Sequence, residues 1–177
     1  MSAIFVSAGH SNTDPGAVAN GRKEADIVTE FRNIVAFYLR EARVPHYTDG
    51  VGAENWPLAR AAKEAKSYAI AVEFHLNAAG PQATGVETLS APKDFELGRK
   101  LCDAVSSTLG IRSRGAKPEN AGQHKRLAFV QAGGIIVELF FLTSKSDLAA
   151  YDSKKWVAAK AVAKVLKEHL DAVDRQR

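Results

Sequence analysis

The 177-residue chain has one cysteine, one methionine, six prolines and no long hydrophobic run. One thiol can form neither an intrachain disulfide nor a Cys-rich zinc cage. Cys102 shares helical spacing with Leu97, Leu101, Val105 and Leu109, which marks it as a small buried apolar residue and not a nucleophile. The longest apolar stretch, residues 132–142, contains Glu138 and is far short of the ~20 residues a membrane helix needs, so no stable membrane insertion is expected. The opening Met1-Ser2-Ala3-Ile4-Phe5-Val6 lacks a basic segment, a full apolar segment and a small-residue cleavage site. It is expected to form a first strand and not a signal peptide, in a protein that folds in the cytosol. Repeats, low-complexity tracts and Pro/Gly/Ser-rich linkers are also missing, and a single domain over residues 1–177 is expected.

What is present fits one globular domain: 46% hydrophobic and 25% charged residues. A folded chain of this length buries roughly two thirds of the surface its unfolded form exposes, enough for a core without staples, so a metal would be functional before it is structural. The net charge of +4 is uneven. Residues 111–126 carry Arg112, Arg114, Lys117, Lys125 and Arg126 against Glu119, and residues 153–177 are also basic, so the remainder is acidic. The terminal excess lies on an expected helix and reads as a solvated face. The 111–126 cluster lies in an expected loop containing Gly and Pro and points to an anionic ligand. Aromatic residues do not interleave with it, which argues against nucleic acid.

Short apolar runs predict strands over residues 3–8, 44–48, 69–75, 84–89, 127–131 and 134–142. Periods of 3.6 predict helices over 24–43, 57–68, 93–109 and 154–173. Their alternation predicts an α/β fold: a three-layer domain with a largely parallel, mixed sheet and helices on both faces. Reactive groups then collect beyond the carboxyl ends of the strands.

Four residues lie at or near those ends: His10 after the first strand, Glu24 at the start of the returning helix, His75 ending the third strand, and Glu138. Glu138 interrupts the otherwise apolar Ile135–Leu142, where an uncompensated carboxylate costs several kcal/mol or has its pKa raised. Two histidines and a carboxylate suffice to hold a catalytic zinc with one position open, and a second carboxylate must then move the proton of the attacking water. His10, Glu24 and His75 fit the first role and Glu138 the second. On pattern alone, Glu73 and Glu87 are rival third ligands, and the His-Glu-x-x-His helix pattern is absent.

Four stretches, in this order, resemble the zinc-dependent N-acetylmuramoyl-L-alanine amidases of the amidase-3 type, which include autolysins and phage endolysins. They are Ser7-Ala8-Gly9-His10 with Asp14-Pro15-Gly16-Ala17; Gly21-Arg22-Lys23-Glu24; Phe74-His75-Leu76-Asn77-Ala78 with Gly85-Val86-Glu87; and Ile136-Val137-Glu138-Leu139-Phe140-Phe141-Leu142-Thr143. The resemblance implies zinc on His10, Glu24 and His75, with Glu138 as catalytic acid/base. It also implies hydrolysis of the amide between N-acetylmuramic acid and L-alanine in peptidoglycan. Two departures stand out: members usually have a small hydroxyl residue where Glu73 stands and a glycine pair where Ser11-Asn12 stand.

A stem peptide carries carboxylates, for which Arg114, Lys125 and Arg126 are the first expected partners and His124 a weaker one; Asn77 could hydrogen-bond the peptide. Within the family, a chain without signal or cell-wall-binding module reads as a monomeric single-domain phage endolysin, held in the host cytoplasm until release to the wall. The rivals are a zinc carboxypeptidase or other amidohydrolase on peptidoglycan peptides, and a non-catalytic peptidoglycan-binding or nucleic-acid-binding module.

Overall fold

The computed structural model describes residues 2–121 and 125–176. Strand β1 (Ile4–Ala8) leads through a loop into a two-stranded hairpin, β2 (Val18–Ala19) and β3 (Arg22–Lys23), and then into α1 (Glu24–Glu41). There follow β4 (His46–Thr48), α2 (Leu58–Ala65), β5 (Ile70–Asn77), β6 (Val86–Ser90), α3 (Phe95–Leu109) and β7 (Ser113–Pro118). Helix α4 (Ala128–Gln131), β8 (Ile135–Phe141) and α5 (Lys145–Arg175) complete the chain. The main sheet has the order β4-β1-β5-β8-β6-β7. Its pairs are parallel except β6 with β8, so the expected α/β class and mixed sheet are both found.

The period of two along each strand sorts residues between two apolar layers. Ile4, Val6, Ala8, Val72, Phe74, Leu76 and Val137 face a large cluster built with α1, α3 and α5. Phe5, Ala71, Leu89 and Ile136 face a smaller one formed with Ala61, Ala62 and Ala65 of α2 and Phe129 and Val130 of α4. Helices thus cover both faces, as expected. Cys102 is free, fully buried and packed in the large cluster, and burial pushes its thiol up to about 11.

Three expectations are corrected. Residues 127–131 were expected to be a strand and form α4 instead: Phe129 and Val130, adjacent in sequence, are both buried in the smaller layer. Four residues are too few for periodicity to separate helix from strand. Residues 111–126 contain β7, an edge strand whose Arg114 and Lys117 hide the usual apolar alternation. Helix α5 starts at Lys145, well before 154, because the Ser144 hydroxyl caps it by accepting from the Asp147 N–H at 3.2 Å. Asp147 is itself buried and accepts from Thr84 Oγ1 at 2.6 Å and Gly85 N at 3.1 Å, so the polar first turn is fastened where no apolar stripe announces it.

Behind the loop after β1 lies a buried ion pair. Arg32 of α1 and Asp49 after β4 are both fully buried and meet at 2.7 Å. Both Asp49 oxygens accept from the Ala8 N–H at 3.1 Å, and Arg32 also donates to the carbonyls of Gly52 and Glu54. Every charge-bearing atom therefore has a partner, the condition for tolerating such a pair.

Candidate active site

Residues on the α2/α4 face change character toward the carboxyl ends of the parallel strands. Phe5 is followed on that face by Ser7, Ala71 by Glu73 and His75, and Ile136 by Glu138. Register places Ser7 opposite Glu73 across β1 and β5, His75 opposite Glu138 across β5 and β8, and Glu87 opposite Glu138 across β6 and β8. Glu73, His75, Glu87 and Glu138 line a cavity of about 380 Å³ together with His10, Asp14, Glu24 and Asn77.

His10, Glu24 and His75 converge, with one donor atom from each within 4.8 Å of the others. Glu24 Oε1 lies 2.8 Å from His10 Nε2 and 3.1 Å from His75 Nδ1, and accepts from the Leu76 N–H at 2.8 Å. Glu24 Oε2 accepts from the Ala17 N–H at 2.9 Å. The far nitrogens have carboxylates of their own: Asp14 Oδ2 is 3.1 Å from His10 Nδ1, and Glu73 Oε1 is 3.1 Å from His75 Nε2. His10 Nε2, despite its closeness to Glu24, is out of line for a hydrogen bond and is left as a buried nitrogen without a partner.

The backbone allows this crowding at a cost. His10 sits at φ 71°, a left-handed conformation unusual for a residue with a side chain. An added Cβ at Gly9 would strike the His75 ring, and one at Gly16, itself at φ 63°, would strike His10 and Glu24. Asn55 Nδ2 donates to the Gly9 carbonyl at 2.8 Å, and Asn12 is tied to the Ala53 carbonyl and the Asn55 N–H. Ser11 Oγ accepts from the Asp14 N–H at 3.1 Å. Ser11 and Asn12 therefore brace the loop that carries His10.

Electrostatics follow from these contacts. Burial works against ionising Glu24, but the close approach of the His10 and His75 imidazoles prevails and holds its carboxyl well below the usual range. Burial likewise lowers both imidazoles, and the carboxylates outweigh it: His10 is raised by Glu24, and His75 well raised by Glu24 and Glu73. Glu138 has no such help. Burial pushes its carboxyl up to about 7, and its buried Oε2 has no hydrogen-bond partner.

The donor set suits a divalent metal. Two imidazole nitrogens and a carboxylate face one another, one of them orphaned, with the remote nitrogens held by carboxylates in the manner of metal-bound histidines. Such a cluster holds protons on the imidazoles until a metal displaces them.

The other sequence candidates are more scattered. Asn77 lines the cavity and donates from Nδ2 to Glu87 Oε1 at 3.0 Å. Glu87 Oε2 accepts from Arg114 Nε at 2.5 Å and Lys117 Nζ at 2.7 Å, and those cations hold Glu87 below its ordinary value against the effect of burial. Arg114 also stacks over the Phe141 ring at 5.1 Å. Lys125 lines a neighbouring recess that shares Glu119 with the cavity, and Arg126 Nη2 donates to Gln131 at 2.9 Å. His124 lies outside the described residues. The two rival ligands are placed elsewhere, Glu73 behind His75 and Glu87 among Asn77, Arg114 and Lys117. Sequence reasoning missed Asp14 as a partner of His10 and Lys117 as a partner of Glu87. A readable signal was the run Glu73, His75, Asn77, three polar residues at strand period in an apolar strand.

Over residues 4–168 the sequence matches the amidase-3 family, N-acetylmuramoyl-L-alanine amidase. A crystal structure from Neisseria meningitidis, provisionally assigned as such an amidase, superposes with a TM-score of 0.88 at 44% identity and covers 96% of each chain. The N-acetylmuramoyl-L-alanine amidase of Clostridium difficile 630 has the same fold, with a TM-score of 0.84 at 23% identity, covering 96% of this chain and 97% of its own. The Staphylococcus aureus protein "Probable autolysin PH" is 28% identical over 171 residues, 82% of this chain, which spans 34% of that protein's length. The chain belongs to the amidase-3 family of N-acetylmuramoyl-L-alanine amidases, enzymes that hydrolyse peptidoglycan.

Proposed function

We propose that the protein cleaves the amide between the lactyl group of N-acetylmuramic acid and the L-alanine of the stem peptide, with zinc held by His10, Glu24 and His75. The convergence of those three donors beside a carboxylate raised to about 7 carries the reading. Zinc bound there would polarise the scissile carbonyl and acidify the attacking water.

Glu138 takes one proton from that water through an oxygen that nothing else occupies. It returns the proton to the alanine nitrogen as the C–N bond breaks, leaving a lactyl carboxylate and a free amino terminus. A carboxyl that titrates near neutrality can perform both transfers. Asn77, whose amide N–H is engaged by Glu87, keeps its carbonyl oxygen for a peptide N–H. Arg114, paired with Glu87 of the cavity wall, is offered to the stem peptide's carboxylates, and positive charge is added by Lys125 in the neighbouring recess and by Arg126, which bonds Gln131 of that recess.

Mass analysis of digested peptidoglycan tests the reaction. Free L-alanine amino termini with intact glycan strands are expected; cleavage inside the stem peptide would make the enzyme a peptidase. We also read the protein as a monomer that does not use nucleic acid, and as an endolysin held in the host cytoplasm until release to the wall. Complementation of a phage lacking its own lysin tests the last point, with delayed lysis persisting if it is wrong.

A further inference from the structure

Glu73 is 1% exposed, inside the sheet, in a position where a carboxylate is costly unless each oxygen is engaged. Both are. Ser7 Oγ, from the cross-strand partner residue, donates to Oε2 at 3.0 Å, and Oε1 stands 3.1 Å from His75 Nε2. Glu73 and His75 are two apart on β5 and so share a face. The carboxylate can therefore meet the far edge of the ring while the near edge, Nδ1, is turned to Glu24. A carboxylate accepts only, so without a metal both ring nitrogens facing one carry a proton, and once a metal takes Nδ1 the proton that stays is the one on Nε2, facing Glu73.

We infer that Glu73 is a positioning residue that keeps the His75 proton on Nε2 and holds the ring so that Nδ1 is the nitrogen given up to a metal. Ser7 locks the carboxylate in place for that task. The inference rests on the zinc reading above. It adds a second effect: beyond Glu24, Glu73 supplies a negative charge behind His75 that favours a cation at the metal position. Asp14 treats His10 in the same way from an exposed loop position. Glu73, rigid and dehydrated, is the stronger of the two constraints.

Zinc affinity by chelator competition is the test, on the full chain as wild type, Glu73→Ala, Glu73→Gln and Ser7→Ala. Loss of a carboxylate behind a metal-bound histidine typically weakens metal binding 10- to 100-fold. Glu73→Ala should fall in that range. Glu73→Gln, which retains an acceptor without the charge, should lose more than twofold and up to about tenfold, and Ser7→Ala least. In the zinc-loaded wild type, ¹⁵N–¹H correlation of the imidazoles should show His75 protonated at Nε2. Affinity unchanged within twofold in both Glu73 variants, or zinc found on Nε2 of His75, overturns the inference while leaving the amidase reading intact. Should Glu73→Ala fail to fold, Glu73→Gln and Ser7→Ala still decide. A wild-type chain that takes up no stoichiometric zinc overturns both.

Discussion

On one face of the sheet, α1, α3 and α5 cover a continuous apolar layer running the full length of β1, β5 and β8. On the other, α2 and α4 cover only the amino-terminal halves of those strands, and past Phe5, Ala71 and Ile136 the same face presents Ser7, Glu73, His75 and Glu138. The strands thus use their period of two unequally: one parity is apolar throughout and the other switches midway. The thick face supplies stability, and the thin one leaves the charged groups a hollow. Burial on the thin face is incomplete by construction, and what remains buried there is held by hydrogen bonds and charge.

The sharpest break in this comparison is Glu138→Gln. Turnover should fall about a thousandfold, while zinc content stays stoichiometric and Tm holds or rises, because a buried carboxyl without a partner has been neutralised. Turnover within tenfold of wild type would remove Glu138 from proton transfer. The mirror experiment on the thick face is Leu166→Ala in α5, a fully buried side chain. It should cost about 2–5 kcal/mol by denaturant unfolding with kcat and zinc affinity unchanged; lost activity in the folded fraction would show that the two faces are not independent.

Titration separates the faces more finely. In the metal-free chain His10 and His75 are held above the ordinary value and Glu138 is raised to about 7. Each binds its proton more tightly folded than unfolded, so the stability each contributes is complete at acid pH and is lost as pH rises through the folded values. Zinc bound as proposed would replace the imidazole protons, so its stabilisation should instead grow with pH. About 1.4 kcal/mol per pH unit is expected for each proton displaced, on the order of 3 °C in Tm. Melting with and without zinc across neutrality measures it; a gap independent of pH would exclude the two histidines as ligands. The smallest effects belong at the margin. Arg114→Ala should raise KM several-fold and Lys125→Ala by about twofold or less, since Arg114 is tied to Glu87 of the cavity wall and Lys125 lies in the neighbouring recess.

Sequence reasoning read the thick face well, because α1, α3 and most of α5 bear long apolar stripes at helical spacing. It found five of the six strands of the main sheet, and it singled out His10, Glu24 and His75, whose side chains converge. It failed where local pattern was too short or was overruled. Four residues of α4 carry no period, β7 hides behind its cations, and the first turn of α5 is held by Ser144 and Asp147 instead of apolar contacts. It also could not tell the acids that converge with the histidines from those that stand behind them. Glu73 and Glu87 have the chemistry of ligands, and only strand register shows that one faces the back of His75 and the other sits among two cations and Asn77.

Strand β7 has a consequence unconnected with catalysis. It closes one margin of the sheet, where an unpaired row of peptide groups would invite another chain to add a strand. Arg114 and Lys117 line that margin and Pro118, which has no N–H, ends it. The residues that pair with Glu87 therefore also make a poor template for fibril growth, and a solubility screen of β7 variants should find that neutral, β-branched replacements aggregate first.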